Sequence, residues 1–386
     1  MCLTIDTRGG VGEGLKTMYN VFTDFHHASL LNSLIFLFEK RLGGKVYRPI
    51  GLEWAEKGFW HVFDHPFTRE QFLGIGAATI APPAQMYPDG TRPLNQIEGI
   101  SGRIGNDGKR VDIYQCHDID SGFTNKAITF DAFMQLPIDI VIASIPKHIE
   151  PFKRLCEMHP NHPKLIYQIG NAWSVEAGLA PNVMASAIIH NVPENINFIS
   201  YHQEFDLDIF KPNPSDYVVP GKYIYSFMNC FNIDQLFGMD WQIFERIERE
   251  MPDWEFRAYG GQCRDGAMHG SKELADKIRE AMFIWHTKYA GDGYGHVIHN
   301  SAAVGRPLIV KKGYYMGKMG EKLMIDGETC IVIDGLGIEE IIAKINYFSE
   351  PKRYAQMCKN VVDNFKKEVN FDKEFEDLQT FLKKLL

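Results

Sequence analysis

The sequence predicts an α/β protein of two Rossmann-like, doubly wound domains facing each other across a cleft. Three observations carry this. Strand-like and helix-like segments alternate through most of the chain, which places parallel strands beneath helices on both faces. The best boundary is the proline- and glycine-rich stretch "DIFKPNPSDYVVPGK" from Asp208 to Lys222, where no regular element can continue. A length of 386 residues also exceeds what one core of ordinary size encloses.

Residues 1–18 read as an N-terminal tail. Within it "RGGVGEG" (Arg8 to Gly14) mimics a phosphate loop, yet it precedes the first strand instead of following one. The first domain is expected over residues 19–215. "MYNVFTD" is apolar and β-rich, "HHASLLNSLIFLFEKRLG" has helical periodicity closed by Gly43, and "KVYRPIG" is extended again, which makes a βαβ unit. The pattern returns in "IDIVIAS", "IEPFKRLCEMH" and "KLIYQIG", then in "NVMASA" and "INFISYH". Between Gly51 and Gly122, Gly, Pro, Asp and aromatic residues obscure any period, and loops with irregular insertions are expected.

Residues 216–365 repeat the alternation in a second domain. "KYIYSFM", "WEFRAYG" and "MFIWHTK" read as strands, and "DWQIFERIEREM" and "SKELADKIREAM" as amphipathic helices. Residues 366–386 read as a helix placed to pack back on the first domain.

Composition narrows the function classes. Hydrophobic residues at 45% and charged residues at 23% describe a globular chain, and no apolar run reaches the roughly 20 residues of a membrane span. Seven cysteines stand singly, without CxxC pairs or zinc spacing, so a cytoplasmic, reducing location is expected. A net charge of −8 gives no general footprint for a polyanion. "DID" at Asp118 to Asp120 and "DLD" at Asp206 to Asp208 have a metal-binding spacing, but 49 acidic residues make chance matches common, and no metal is assigned.

The densest chemistry lies in "GDGYGHVIHNSAAVGRPLIV", Gly291 to Val310. After the strand "MFIWHTK", a glycine loop opens a helix, the setting in which backbone amides approach an anion closely. Asp292 is a carboxylate at the loop tip, Gly291, Gly293 and Gly295 let the backbone approach a phosphate closely, and Asn300 falls within the helix. His286 gains interest only from this neighbourhood, and His299 reads as a helix-surface residue. His26 and His27 stand at the start of the first helix, at the mouth of the first sheet, where they either meet a ligand or cap the helix. His148 follows another strand in the same way. Aromatic residues of "GLEWAEKGFWHVFDHPF" suit packing better than sugar stacking.

The series Asp292, Gly293, Tyr294, Gly295, Asn300, Ala302, Ala303, Gly305, Pro307 and "LIV", followed by "MIDGETCIVID", resembles the donor-binding segment of retaining GT-B glycosyltransferases of the group 1, family-four type. Upstream, "HQEFDLDIFKP", "PNVMASA" and "KLIYQIGNAW" are similar to segments of that family in the same order. The resemblance implies transfer of a sugar from a nucleotide-diphosphate donor to a hydroxyl acceptor, with retention, without a metal and with no cofactor beyond the donor. It implies that Asp292 touches the transferred sugar, Gly293 to His296 the phosphates, and Asn300 the ribose. His26 and His27 join Asp292 as candidate catalytic residues, and Gly170, Asn171 and His148 fall on the acceptor side.

Departures are equally plain. Both family glutamates are replaced, by Asp292 and Asn300, and the basic pair after the first strand of the second domain is missing, since "SFMNCFN" offers only Asn229. Arg264 or Lys288 is expected to offset the diphosphate charge instead. The losses leave open a non-catalytic nucleotide-sugar or glycan binding protein, and a sugar-nucleotide epimerase shares the architecture. The acceptor class spans a glycan, a small molecule or, against the acidic charge balance, modified DNA.

Overall fold

The computed structural model describes residues 18–24, 28–50, 53–59, 62, 96–104, 108–118, 123–170, 177–212, 221–233, 237–289 and 292–385. His26, His27 and Asn171 lie outside them, as do the N-terminal "RGGVGEG" and part of "DID".

The first domain runs β1 (Asn20–Thr23), α1 (Ala28–Ile35, continued by the π-helical turn Phe36–Arg41), β2 (Lys45–Pro49), α2 (Glu53–Glu56), β3 (Gln96–Ile104), β4 (Arg110–Asp118), β5 (Phe123–Ile128), α3 (Phe130–Gln135), β6 (Ile140–Ala143), α4 (Pro146–Met158), β7 (Lys164–Ile169), β8 (Asn182–Ala185) and β9 (Asn197–Ser200). Among the described residues nine strands form one sheet, in the order β3-β4-β5-β2-β1-β6-β7-β8-β9. All pairs from β5 to β9 are parallel, whereas β3, β4 and β5 pair antiparallel. The stretch from Gly51 to Gly122, read from sequence as loops, thus contributes a helix and a long hairpin that extends the sheet.

Successive strand residues point to opposite faces, so parallel strands covered on both sides are apolar at most positions. Val21, Val46, Ile140 and Ile142 meet Leu30, Leu31, Leu34 and Phe38 of the first helix on one face. Phe22, Tyr47, Val141 and Ala143 meet Phe130, Phe133, Ile149 and Phe152 of α3 and α4 on the other.

The second domain runs β10 (Tyr223–Ser226), α5 (Met239–Glu250), β11 (Glu255–Ala258), α6 (Gly270–Glu280), β12 (Phe283–His286), α7 (His296–Val304), β13 (Leu308–Val310), the 3-10 turns Lys312–Tyr315 and Met319–Leu323, β14 (Cys330–Val332), α8 (Ile338–Phe348), α9 (Pro351–Glu368) and α10 (Phe371–Leu385). Its five described strands are parallel, in the order β11-β10-β12-β13-β14. The face carrying Tyr225, Ile284 and Leu308 packs under α6, α7 and α9, and that carrying Ile224, Phe283, Trp285 and Ile309 packs under α5 and α8.

Beyond Phe371, which packs in the second domain's core, helix α10 belongs to neither face of the second sheet. Leu378, Phe381, Leu382 and Leu385 are buried beside Leu34, Ile166 and Met184, on the first-sheet face that α1 leaves partly open. Burying each of these side chains is worth roughly 1.5–3 kcal/mol, enough to fix the helix there. The chain therefore crosses between domains twice, once after β9 and once ahead of α10.

Candidate functional site

An open parallel sheet offers a ligand crevice where neighbouring strands lead their connections in opposite directions, outside the carboxyl ends of the strands. In the second sheet that point lies between β10 and β12. The loop after β12 carries Lys288 and Asp292 and runs into α7. Gly295 precedes α7 at φ +85°, and an added Cβ would stand 2.8 Å from Ile298 Cδ1, so glycine lets the backbone turn tightly into the helix.

Asp292 is the charged centre. Its Oδ2 accepts from His286 Nε2 at 2.7 Å and its Oδ1 from Lys288 Nζ at 2.5 Å. Burial alone would raise the carboxyl's pKa, but the His286 hydrogen bond and charge and the Lys288 ammonium outweigh it, holding Asp292 well below the usual carboxylate range. His286 ends β12, buried and stacked on Tyr315 (5.8 Å, 28°), whose hydroxyl donates to the His286 carbonyl at 3.3 Å. Lys318, on the turns after β13, is close enough for charge to be felt. Burial pulls its ammonium below the ordinary value, Asp292 pulls it up, and Lys288 pulls it down again. One lysine thus holds the carboxylate directly and a second feels its charge.

Asn300 sits in α7, buried, and its Oδ1 has no hydrogen-bond partner among the described residues. An orphaned amide oxygen of this kind costs about 1–3 kcal/mol unless a ligand or water donates to it, so it fits a hydroxyl-bearing ligand. Ser226 Oγ, at the carboxyl end of β10, is buried and unpartnered in the same way. His299, expected on the helix surface, is instead fully buried, with Nδ1 at 2.9 Å from the Gly295 carbonyl and its ring stacked on Tyr294 at 4.1 Å and 8°. Burial holds its pKa well below normal and keeps it neutral, so Nδ1–H is the donor. His296 is half-buried, its ring edge-on to Tyr294 at 4.9 Å.

Arg264 is drawn elsewhere. It donates to Glu248 Oε2 (2.8 Å), to Asp265 Oδ2 (3.1 Å) and to the Phe256 carbonyl (3.0 Å), while Asp265 accepts from the Ala258 amide at 2.7 Å. Phe256 and Ala258 belong to β11, the outermost strand, so Arg264 and Asp265 satisfy backbone groups of the sheet edge. Among the described residues nothing brings Arg264 to the Asp292 loop. Asn229 Oδ1 accepts from the Gly261 amide at 2.7 Å and ties the loops after β10 and β11 together.

In the first sheet the corresponding point lies between β1 and β6. Asp24, just past β1, accepts the Ser144 amide (2.9 Å) and the Ser144 hydroxyl, and its Oδ2 lies 2.7 Å from His148 Nδ1. All three are buried. His148 is therefore held by a carboxylate that the sequence reading left out. Gly170 follows β7, half-buried, with space over its Cα bounded by Gln168 Oε1 at 3.4 Å. Asp206 of "DLD" accepts from the Asp208 amide at 2.8 Å and shapes a turn, and no group of three metal-ligating residues occurs among the described residues.

Two parallel, doubly wound domains joined by this double crossover define the GT-B fold, and the chain has it. No family model and no curated protein matches the sequence. Solved structures do match over nearly the whole length. HepE of Anabaena, in complex with UDP-glucose, is similar at a TM-score of 0.56 and 12% identity, covering 95% of this chain and 100% of that one. Sucrose-phosphate synthase of Thermosynechococcus elongatus matches at 0.56 and 10% identity over 95% and 99% of the two chains. The pneumococcal O-GlcNAc transferase GtfA, in complex with UDP and GlcNAc, matches at 0.55 and 10% identity over 95% and 99%. Likeness at such identities is one of fold.

Proposed function

We propose that the protein is a glycosyltransferase that moves a sugar from a nucleotide-diphosphate donor to a hydroxyl acceptor, with retention of configuration and without a metal. The observation that carries this reading is the Asp292 cluster: a carboxylate held by His286 and Lys288, within the electrostatic reach of Lys318, at the strand crossover of the second sheet and at the entrance to α7. The second domain takes the donor. Asp292, kept ionised, accepts hydrogen bonds from hydroxyls of the transferred sugar. The amides of Gly293 to His296 meet the diphosphate, and Lys288 and Lys318 offset the charge that grows on it as it departs. Asn300 Oδ1 receives a ribose hydroxyl. The first domain takes the acceptor, with Gly170 after β7 and the buried Asp24–His148 pair at its strand crossover. Because similar structures hold UDP or UDP-glucose, a UDP-sugar is the donor to try first.

A second reading has its own support. Asp292 is already matched by His286 and Lys288, and Asn229 is engaged by Gly261, so the site would serve a nucleotide-sugar binding protein without turnover.

Thermal unfolding with UDP, GDP, TDP and ADP and their glucose or N-acetylglucosamine conjugates tests both. Ligand at 100 times its dissociation constant adds about 2.7 kcal/mol of stability. A shift with one nucleotide together with release of that diphosphate establishes the transferase, and a shift without release favours the binder. No shift with any nucleotide rejects the donor site. Asn300→Ala is expected to weaken the nucleotide about tenfold, the worth of one buried hydrogen bond.

A further inference from the structure

The loop that carries Asp292 is anchored outside its own domain. Tyr294, between two glycines, is buried, and its hydroxyl donates to the Gln203 carbonyl at 3.3 Å. Gln203 belongs to the crossover that leaves β9. The neighbouring His202 sets its ring against His299 at 5.4 Å and edge-on to Tyr294 at 6.2 Å. The backbone N–H of His202 donates to one oxygen of Glu374 and its Nδ1 lies against the other, both at 2.7 Å. Glu374 stands on α10, whose apolar side is buried in the first domain.

Glycines on both sides leave the segment 293–295 with little stiffness of its own. Its shape must come from what Tyr294 is packed against, and that wall is His299 from beneath and the crossover from the side. A buried tyrosine hydroxyl is costly to leave without its carbonyl partner, so displacing the crossover displaces Tyr294 with it.

We infer that His202 and Glu374 are positioning residues for the Asp292 loop, acting through Tyr294 from the interdomain side. Neither touches the substrate. The kinetic consequence rests on the transferase reading, whereas the structural one does not.

The test is amide hydrogen exchange on the full chain, read over residues 292–296, in wild type, Glu374→Ala, Glu374→Gln and Tyr294→Phe. Glu374→Ala is expected to speed exchange in this loop about tenfold while α9 and β13 keep their protection. Glu374→Gln, which can still accept from the His202 amide and face its ring, restores most of the protection. Tyr294→Phe keeps the stack on His299 and gives an intermediate value, covering the case in which Glu374→Ala is poorly folded. In turnover with a UDP-sugar, kcat falls about tenfold in Glu374→Ala and the donor KM moves less than threefold, because the loop is misplaced more than the nucleotide is lost. Unchanged loop exchange in both Glu374→Ala and Tyr294→Phe overturns the inference. Faster exchange in a protein that neither binds nor turns over any nucleotide upholds it and removes the transferase reading alone.

Discussion

A half-buried carboxylate held between a histidine and a lysine ties stability to pH. Asp292 has a folded-state pKa depressed below its unfolded value near 3.9, so its contribution is fully present above about pH 5 and is lost as pH falls toward the folded value. Asp292→Asn is expected to cost about 2 kcal/mol at pH 7, the worth of hydrogen bonds to a charged group, and to flatten the fall in stability below pH 5. Urea unfolding at pH 7 and pH 4 checks this, and an acid limb as steep as wild type would refute it. Asp292, Lys288 and Asn300 were legible because a glycine-rich turn between a strand and a helix marks them within a short span. Lys318 was not, since it lies beyond the next strand and only the closing of the sheet brings it near. Asp24 left one usable signal, a carboxylate at the end of a strand.

Arg264 shows how a strand edge competes with a ligand for a cation. Sequence offers an arginine in a glycine loop after β11, but β11 lies at the margin, and its open carbonyl and amide need partners more locally than a diphosphate does. Arg264→Ala is expected to cost about 1 kcal/mol of stability through the lost carbonyl and carboxylate contacts and to leave nucleotide affinity within twofold of wild type. Titration calorimetry with UDP decides it, and a tenfold loss of affinity would return Arg264 to the donor site. The same contrast explains what was readable in the elements. Parallel strands such as "IDIVIAS" announce themselves as continuous apolar runs because both faces are buried. The hairpin of β3 and β4 hid within a glycine- and aspartate-rich stretch because an antiparallel ribbon can leave one face to water and needs no continuous apolar run. "RVDIYQ" does alternate, with Val111 and Ile113 buried and Asp112 exposed, a signal masked by the turns around it.

At the scale of the molecule, the domains are stitched together by α10 and by the crossover after β9, where Arg41 joins Glu204 to Asp372. A chain ending at residue 370 is expected to keep the second domain folded and to expose the first-sheet face lined by Ile166 and Met184. Calorimetry should then show two transitions where the full chain shows one, and the shortened form should bind an apolar dye. A single transition at the wild-type temperature would mean that α10 stabilises little. The two-domain architecture was legible from length and from the one proline-rich break, but the route of the chain back to its first domain was only a suggestion of residue order. Its consequence is temporal. On the ribosome the first domain emerges early, yet one side of its sheet stays only partly covered until residues 371–385 clear the exit tunnel, after the second domain can already have folded. The earlier-made half is the later-completed one, and while the second domain is being made the nascent chain presents a greasy surface that a chaperone can hold.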